Sequence, residues 1–235
     1  MSARLPISMT RNPFFGRVAE NYDSWYSTPA ARYAEAVEDR FLFEALHGIS
    51  GSMLEVGSGT GNYLAKLHDF DFRCGVDASA DMLKISCGKT PVPVVNGKAE
   101  ALPFKDNSFD VVVAITALEF FEGLESGLYE ISRVANKHVV LAFLSKPSLL
   151  HMTRLIKRLF SQNEFTFYRP LKPGWVAHYF VEELGGFKVE SIRSTLLLFP
   201  IFHRWLKSYL RALDLTFSKS RIGSFSVIKL IKTER

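Results

Sequence analysis

The sequence predicts an α/β protein: a mostly parallel seven-stranded sheet with helices on both faces and an antiparallel last strand. Three observations lead there. Seven short apolar runs read as strands: SMLEVG, FRCGVD, PVPVVN, FDVVVAIT, HVVLAFL, FKVESI and FSVIKLI. Helix-periodic stretches separate most of them, namely NYLAKLHDF, ADMLKISCG, LESGLYEISRVA and WVAHYFVEELG. The strands are also written as continuous Val, Leu and Ile instead of alternating with polar residues, which is how a sheet covered on both faces reads.

Taken in order, residues 1–47 form a helical lead-in, 48–144 the sheet-forming core, and 145–235 an insertion after the fifth strand followed by the last two strands. A single domain with two appendages accounts for all 235 residues. The content of 47% hydrophobic and 13% aromatic residues suffices for a sizeable core, which excludes disordered and fibrous classes. Cys74 and Cys87 match no metal or redox spacing and read as small apolar residues of a reducing compartment. No basic-then-apolar leader opens the chain, and its longest apolar runs fall short of the roughly 18 residues a spanning helix needs. The expected location is cytoplasmic.

Charge divides the chain unevenly. Residues 1–144 carry 13 Lys and Arg against 18 Asp and Glu, a net of −5, whereas residues 145–235 carry 16 against 6, a net of +10. The two parts face different electrostatic tasks.

The chemistry starts at MLEVGSGTGNYL. Gly57, Gly59 and Gly61 end a strand and open a helix, so backbone can approach a ligand closely at the carboxyl end of the sheet. Asp77 closes the second strand, about 20 residues on, where an acid accepts hydrogen bonds from ribose hydroxyls. The G-x-G-x-G spacing is not the G-x-G-x-x-G of dinucleotide sites, which weakens a nicotinamide-dependent oxidoreductase as the alternative. Glu55, inside the first strand, disfavours a pyrophosphate and suits a cationic ligand. A carboxylate tied to backbone N–H groups around the turn is the plainer account of the same residue.

EVGSGTG, GVDASADML, KAEALPF and SFDVVVAITALEF occur in this order. Together they resemble class I S-adenosylmethionine-dependent methyltransferases, over residues 14–144. Within that family they are similar to the small-molecule branch that includes ubiquinone and menaquinone biosynthesis enzymes. The resemblance implies a Rossmann-like fold, S-adenosylmethionine as cofactor, and S-adenosylhomocysteine as product. It also implies that Gly57, Gly59 and Gly61 pack against the methionine and ribose portions, that Glu55 lies near the amino group, and that Asp77 holds the ribose. Ala78 and Met82 would flank the adenine, with Ala99 and Glu100 at its edge. Thr116 and Ala117 would offer backbone groups to the methionine end. On spacing alone, Met82 reads equally as a core residue.

The AENYDSWY stretch resembles the family's lid helix. Tyr22, Trp25 and Tyr26 fall at i, i+3 and i+4, so they share one helical face, either simply packed or in contact with cofactor or substrate. Alignment of the acceptor, more than any triad, is what methyl transfer from a sulfonium demands. Glu119 and His178 are the candidates for a base, with His151 and His203 behind them. Two departures from the family stand out. Ala117-Leu118-Glu119-Phe120 replaces the Pro-Pro motif of nucleic-acid amino methyltransferases, and Val134-Ala135-Asn136-Lys137-His138 replaces the usual Leu-Lys-Pro-Gly-Gly turn.

In the basic part, KPSLLHMTRLIKRLF and FPIFHRWLKSYLRAL place Arg154, Lys157 and Arg158, and Arg204, Lys207 and Arg211, beside apolar stripes. Such helices suit either a cover over an apolar pocket or peripheral contact with an anionic membrane. Basic residues interleaved with Leu and Phe disfavour nucleic acid as the partner, and no metal-ligand spacing is present. The expected partner is a small-molecule acceptor, apolar or lipid-linked. A non-catalytic protein that binds the same cofactor is the other open reading.

Overall fold

A computed structural model describes residues 14–146, 169–195 and 223–233. The two basic amphipathic segments lie outside the described residues, as do His151 and His203.

The lead-in comprises α1 (Arg17–Asn21), a 3-10 segment (Tyr22–Ser27) and α2 (Pro29–Leu46), whose N-cap Thr28 accepts a hydrogen bond from Ala31 N. The expected helical lead-in is present and is divided before Pro29. Pro29 fits the first turn of α2 but cannot donate the backbone hydrogen bond that would continue an upstream helix, because it has no N–H.

The core alternates β1 (Ser52–Val56), α3 (Asn62–Lys66), β2 (Phe72–Asp77), α4 (Ala80–Lys89), β3 (Val94–Asn96), β4 (Phe109–Ile115), α5 (Leu124–Val134) and β5 (Ala135–Leu144). After the insertion come α6 (Pro173–His178), a π turn (Tyr179–Leu184), β6 (Phe187–Thr195) and β7 (Phe225–Lys232). The sheet order is β3-β2-β1-β4-β5-β7-β6. Every pairing from β3 to β5 is parallel, and β7 runs antiparallel between β5 and β6. The predicted sheet, with its antiparallel closing strand, is the one observed.

Three elements are shorter or differently wound than their periodicity suggests. Strand β3 spans only Val94–Asn96 because Pro91 and Pro93 have no N–H for the ladder. Helix α3 stops at Lys66, where Leu67 leaves helical geometry to turn the chain toward β2. The predicted helix from Trp175 begins two residues earlier, at Pro173, and widens into the π turn. At the missing Leu-Lys-Pro-Gly-Gly turn, α5 passes straight into β5, Val134 ending one and Ala135 starting the other.

Two apolar layers sandwich the sheet. On one side Leu54, Val112, Leu141 and Ile228 pack against Leu124, Leu128, Ile131 and Val134 of α5; on the other, Met53, Val111, Val113 and Val140 meet Phe41, Leu42 and Leu46 of α2. Each such buried side chain contributes about 1.5–3 kcal/mol. Central β4 is buried over nearly its whole length, as a strand flanked by β1 and β5 requires.

Arg133 ties the long β3–β4 connection to α5. It donates to the Leu102 and Phe104 carbonyls (3.1 and 2.8 Å) and pairs with Glu130 and Asp106. Glu130 in turn accepts Leu102 N at 2.8 Å. The later part of the connection that carries Ala99 and Glu100 is therefore fixed against the C-terminal turn of α5.

Candidate functional site

At the end of β1 the chain turns tightly. Gly57 N and Ser58 N both donate to Val76 O (2.7 and 3.1 Å), and Gly61 N donates to Ser58 O at 2.9 Å. Gly57 (φ +77°) and Gly61 (φ +77°) are glycines for two reasons at once. Both sit in the left-handed region, and a Cβ would lie 2.4 Å from Ala117 Cβ at the first and 2.3 Å from Ser86 Oγ at the second. Gly59 meets nothing within 4 Å and faces open space.

That space belongs to a pocket open to solvent, with about 940 Å³ of empty space when its mouth is included. All the residues predicted for the cofactor except Gly61 line it: Tyr22, Glu55, Gly57, Gly59, Asp77, Ala78, Met82, Ala99, Glu100 and Thr116. Gly61 acts one step back, letting α3 approach α4. Met82 is buried on α4 and also lines the pocket.

Asp77 ends β2 with both oxygens oriented. Oδ2 accepts Gly59 N and Oδ1 accepts Ser79 N, each at 2.8 Å. Burial raises its pKa, and those two backbone bonds oppose the rise. Glu55 is 2% exposed, and its Oε2 has no hydrogen-bond partner among the described residues. Burial first, then the Asp77 charge, hold the Glu55 carboxyl well above the usual carboxylate range, with the Leu64 N–H offsetting part of this. Backbone tying is therefore only a partial account of Glu55. One oxygen is left for a donor or cation that the described residues do not provide.

Thr116 directly follows β4 at φ +47°, a conformation a β-branched residue rarely adopts, and its N–H donates to Ala142 O at 2.7 Å. Strain of this kind collects at ligand sites. It turns the backbone of Thr116 and Ala117 toward the glycine corner.

An aromatic row closes the mouth. Phe14 meets Phe120 edge-on at 4.8 Å and Tyr22 at 5.6 Å, and Tyr22 meets Tyr26 at 5.9 Å with their hydroxyls 3.4 Å apart. Burial raises the pKa of both tyrosines, so they are neutral phenols at physiological pH. The shared face predicted for Tyr22 and Tyr26 exists, although the segment is 3-10; the Trp25 side chain lies outside the described part. Lys98, paired with Glu122 at 3.0 Å, and Glu100, accepting Gly123 N at 3.1 Å, form the outer rim.

The structure does not bring Glu119 or His178 into this pocket. Glu119 is buried in the 3-10 turn Leu118–Phe120, and its carboxylate accepts Leu144 N. His178 is exposed at the end of α6. Phe14, Asn62, Tyr63, Phe120 and Phe121 line the pocket and escaped sequence reasoning. Phe120 and Phe121 carry a signal, since aromatics directly after a central strand of a parallel sheet face the ligand edge. Phe14 carries none.

These residues fit S-adenosylmethionine. The unpartnered Glu55 oxygen suits its cationic end, the oriented Asp77 carboxylate a diol, and the open cradle at Gly59 its close approach.

Comparison with known proteins agrees. Residues 54–143 match the methyltransferase domain family. An uncharacterized protein of Methanocaldococcus jannaschii is 34% identical over 140 residues, covering 58% of this chain and 63% of that protein. Demethylmenaquinone methyltransferase of Chlorobaculum tepidum is 38% identical over 85 residues, 35% of each chain. The chain thus matches less than two thirds of the length of either relative. Among solved structures, a SAM-dependent methyltransferase of Thermotoga maritima, described as a possible histamine N-methyltransferase, superposes with a TM-score of 0.68. It shares 23% identity, with 92% of this chain and 97% of that one covered. The magnesium protoporphyrin IX methyltransferase of Synechocystis, solved with bound SAH, gives 0.66 at 14% identity, covering 95% and 98%. Over residues 54–143 the chain thus resembles the methyltransferase domain family, and it shares the Rossmann-like fold of these solved methyltransferases.

Proposed function

We propose that the protein transfers a methyl group from S-adenosylmethionine to a small acceptor that is apolar or lipid-linked. The observation that carries this reading is the pairing, at one corner, of an oriented Asp77 carboxylate with a buried Glu55 oxygen awaiting a cation. When bound, the cofactor supplies a methyl group already activated on a sulfonium. The chain's own residues then have three tasks. Asp77 and the glycine corner fix the cofactor's position, Thr116 and Ala117 floor the methyl end, and Phe14, Tyr22, Tyr26 and Phe120 keep water out. A pyrophosphate, which has acceptors only, would offer no cation or donor to the unpartnered Glu55 oxygen, which disfavours the oxidoreductase alternative.

Apolar walls from Phe14, Ile115, Phe120 and Phe121 support an apolar acceptor. Among the described residues, the lining acids Glu55, Asp77, Glu100 and Glu122 face a single cation, Lys98, so an anionic acceptor is disfavoured. Glu119 and His178 remain proposals as bases that would need the acceptor, or a rearranged chain, to bring them near the methyl group. Membrane contact through the basic segments is a further part of the reading. Among the described residues no helix is long and apolar enough to cross a membrane.

Labelled-methyl transfer into a cell extract tests turnover. A labelled small-molecule product is expected, whereas cofactor binding with no product in any extract would favour a non-catalytic binding protein. Flotation with anionic vesicles is expected for the full chain, and sedimentation without them would end the membrane proposal.

Glu55 supplies a signed prediction. Its carboxyl holds its proton in the free protein because its pKa is raised, and a neighbouring cation would release it. Affinity should therefore rise with pH from the ordinary carboxylate range up to the raised pKa. Calorimetry between the ordinary carboxylate range and the raised pKa, in two buffers of different ionisation enthalpy, should show proton release on binding that is absent in Glu55→Gln. Equal proton release in both proteins would assign the cation elsewhere. Glu55→Gln should also leave the ligand-free protein more stable above pH 5, since it removes a buried charge that folding must neutralise.

A further inference from the structure

The segment that carries Tyr22 and Tyr26 is held to the body of the protein mainly by polar ties. Helix α1 buries only Ala19. At the start of the segment, Ser79 Oγ donates to Phe14 O, and Gly16 N donates to Asp81 Oδ2 at 2.7 Å, both at the first turn of α4. The other tie centres on Asp23. Its Oδ1 accepts Thr60 Oγ1 at 2.8 Å and Asn62 Nδ2 at 3.1 Å, and its Oδ2 accepts Lys89 Nζ at 2.7 Å. Lys89, the last residue of α4, also donates to Asn62 Oδ1 at 2.5 Å and Thr60 Oγ1 at 3.1 Å. Four side chains from the 3-10 segment, the glycine corner, α3 and α4 thus close one charge-assisted network.

Position gives the network a role that fold stability alone does not require. Asp23 follows Tyr22 directly and precedes Tyr26 by three residues, while Thr60 and Asn62 line the pocket themselves. One cluster therefore couples the roof to the floor. Burial by itself would raise the Asp23 pKa, but the bonds from Lys89, Thr60 and Asn62 outweigh it and hold the carboxyl below its ordinary value, so the network is attractive. It is also partly wet, with side-chain exposure of 41% at Asp23 and 28% at Lys89. Water can take over its bonds without uncovering core, which suits an element that opens and recloses.

We infer that Asp23 and Lys89 are positioning residues that latch Tyr22 and Tyr26 over the pocket and set how long the cofactor and its demethylated product stay bound. The inference rests on the cofactor reading above. Neither residue lines the pocket, so each acts through the roof and not by touching the ligand.

Release of S-adenosylhomocysteine from the full chain, measured by stopped-flow displacement, tests it together with hydrogen exchange of residues 17–27 in the ligand-free protein. Asp23→Asn and Lys89→Met should each speed release about three- to tenfold and raise exchange in that segment, with β1 unchanged. The double variant should be no faster than the faster single, because both substitutions break one network. Lys137→Met, which removes an ion pair to Asp110 elsewhere on the protein, should change neither quantity. Unchanged release, additive effects in the double variant, or increased exchange that spreads into β1 would overturn the latch. A wild-type chain that binds no S-adenosylhomocysteine would refute the cofactor reading and the latch with it; normal binding with unaltered release in the variants would refute the latch alone.

Discussion

Asp77→Ala is expected to weaken S-adenosylmethionine binding at least tenfold in calorimetric titration while leaving a folded protein. A hydrogen bond to a charged group contributes about 1.5–3 kcal/mol, and losing one such bond from the ribose is worth a factor of ten or more. The carboxylate can serve a diol because the backbone has already aimed it. Gly59 N and Ser79 N each hold one oxygen at 2.8 Å, leaving the remaining lone pairs to a ligand. In the variant those two N–H groups lose their acceptor, and water entering the open pocket replaces it, so the cost falls chiefly on binding. Asp77→Asn separates charge from shape, since one of its positions turns from acceptor to donor beside a backbone N–H. It should bind as poorly as the alanine variant. Affinity within twofold of wild type for both would remove the ribose assignment. The pH dependence has a definite sign. The Asp77 pKa is raised, mainly by burial, so protonation begins above the ordinary Asp range, and affinity should fall as pH drops through that raised value.

Gly57→Ala should be the most damaging single substitution at the corner, lowering stability by about 2–4 kcal/mol. Two costs combine. At φ +77° any Cβ strains the backbone, and here the new carbon would stand 2.4 Å from Ala117 Cβ. Neither atom sits on a rotatable side chain, so relief requires moving β1 or the Thr116–Ala117 backbone, where Thr116 is already strained and Ala117 is buried. Gly59→Ala is the comparison. It has a similar left-handed conformation (φ +51°) with nothing within 4 Å, so it should cost only the backbone term of about 1–2 kcal/mol. Denaturant unfolding of the two variants decides the matter. If Gly57→Ala is no less stable than Gly59→Ala, contact between β1 and the end of β4 is looser than described.

Periodicity and composition were enough for the sheet, because a strand buried on both faces has to be written in Val, Ile and Leu, and β4 and β5 are. They were enough, too, for the glycine corner and Asp77, since left-handed backbone at a strand end leaves Gly few substitutes and the acid follows at a fixed distance along the βαβ unit. Local rules failed where a residue's fate depends on what it packs against. Glu119 follows β4 as the expected base would, yet the 3-10 turn directs its carboxylate to Leu144 N and away from the pocket. His178 lies on a helix whose exposed side no local pattern distinguishes from its buried one. Asp23 stood within the lead-in motif and drew no notice, because its partners Thr60, Asn62 and Lys89 lie 37, 39 and 66 residues away. The chain alone determined which backbone could hold an adenosyl ligand, through the steric needs of glycine and strand. Only the tertiary structure decided which side chains line the pocket beside that backbone, because contacts across the sheet edge are made between residues whose separation leaves no periodic trace.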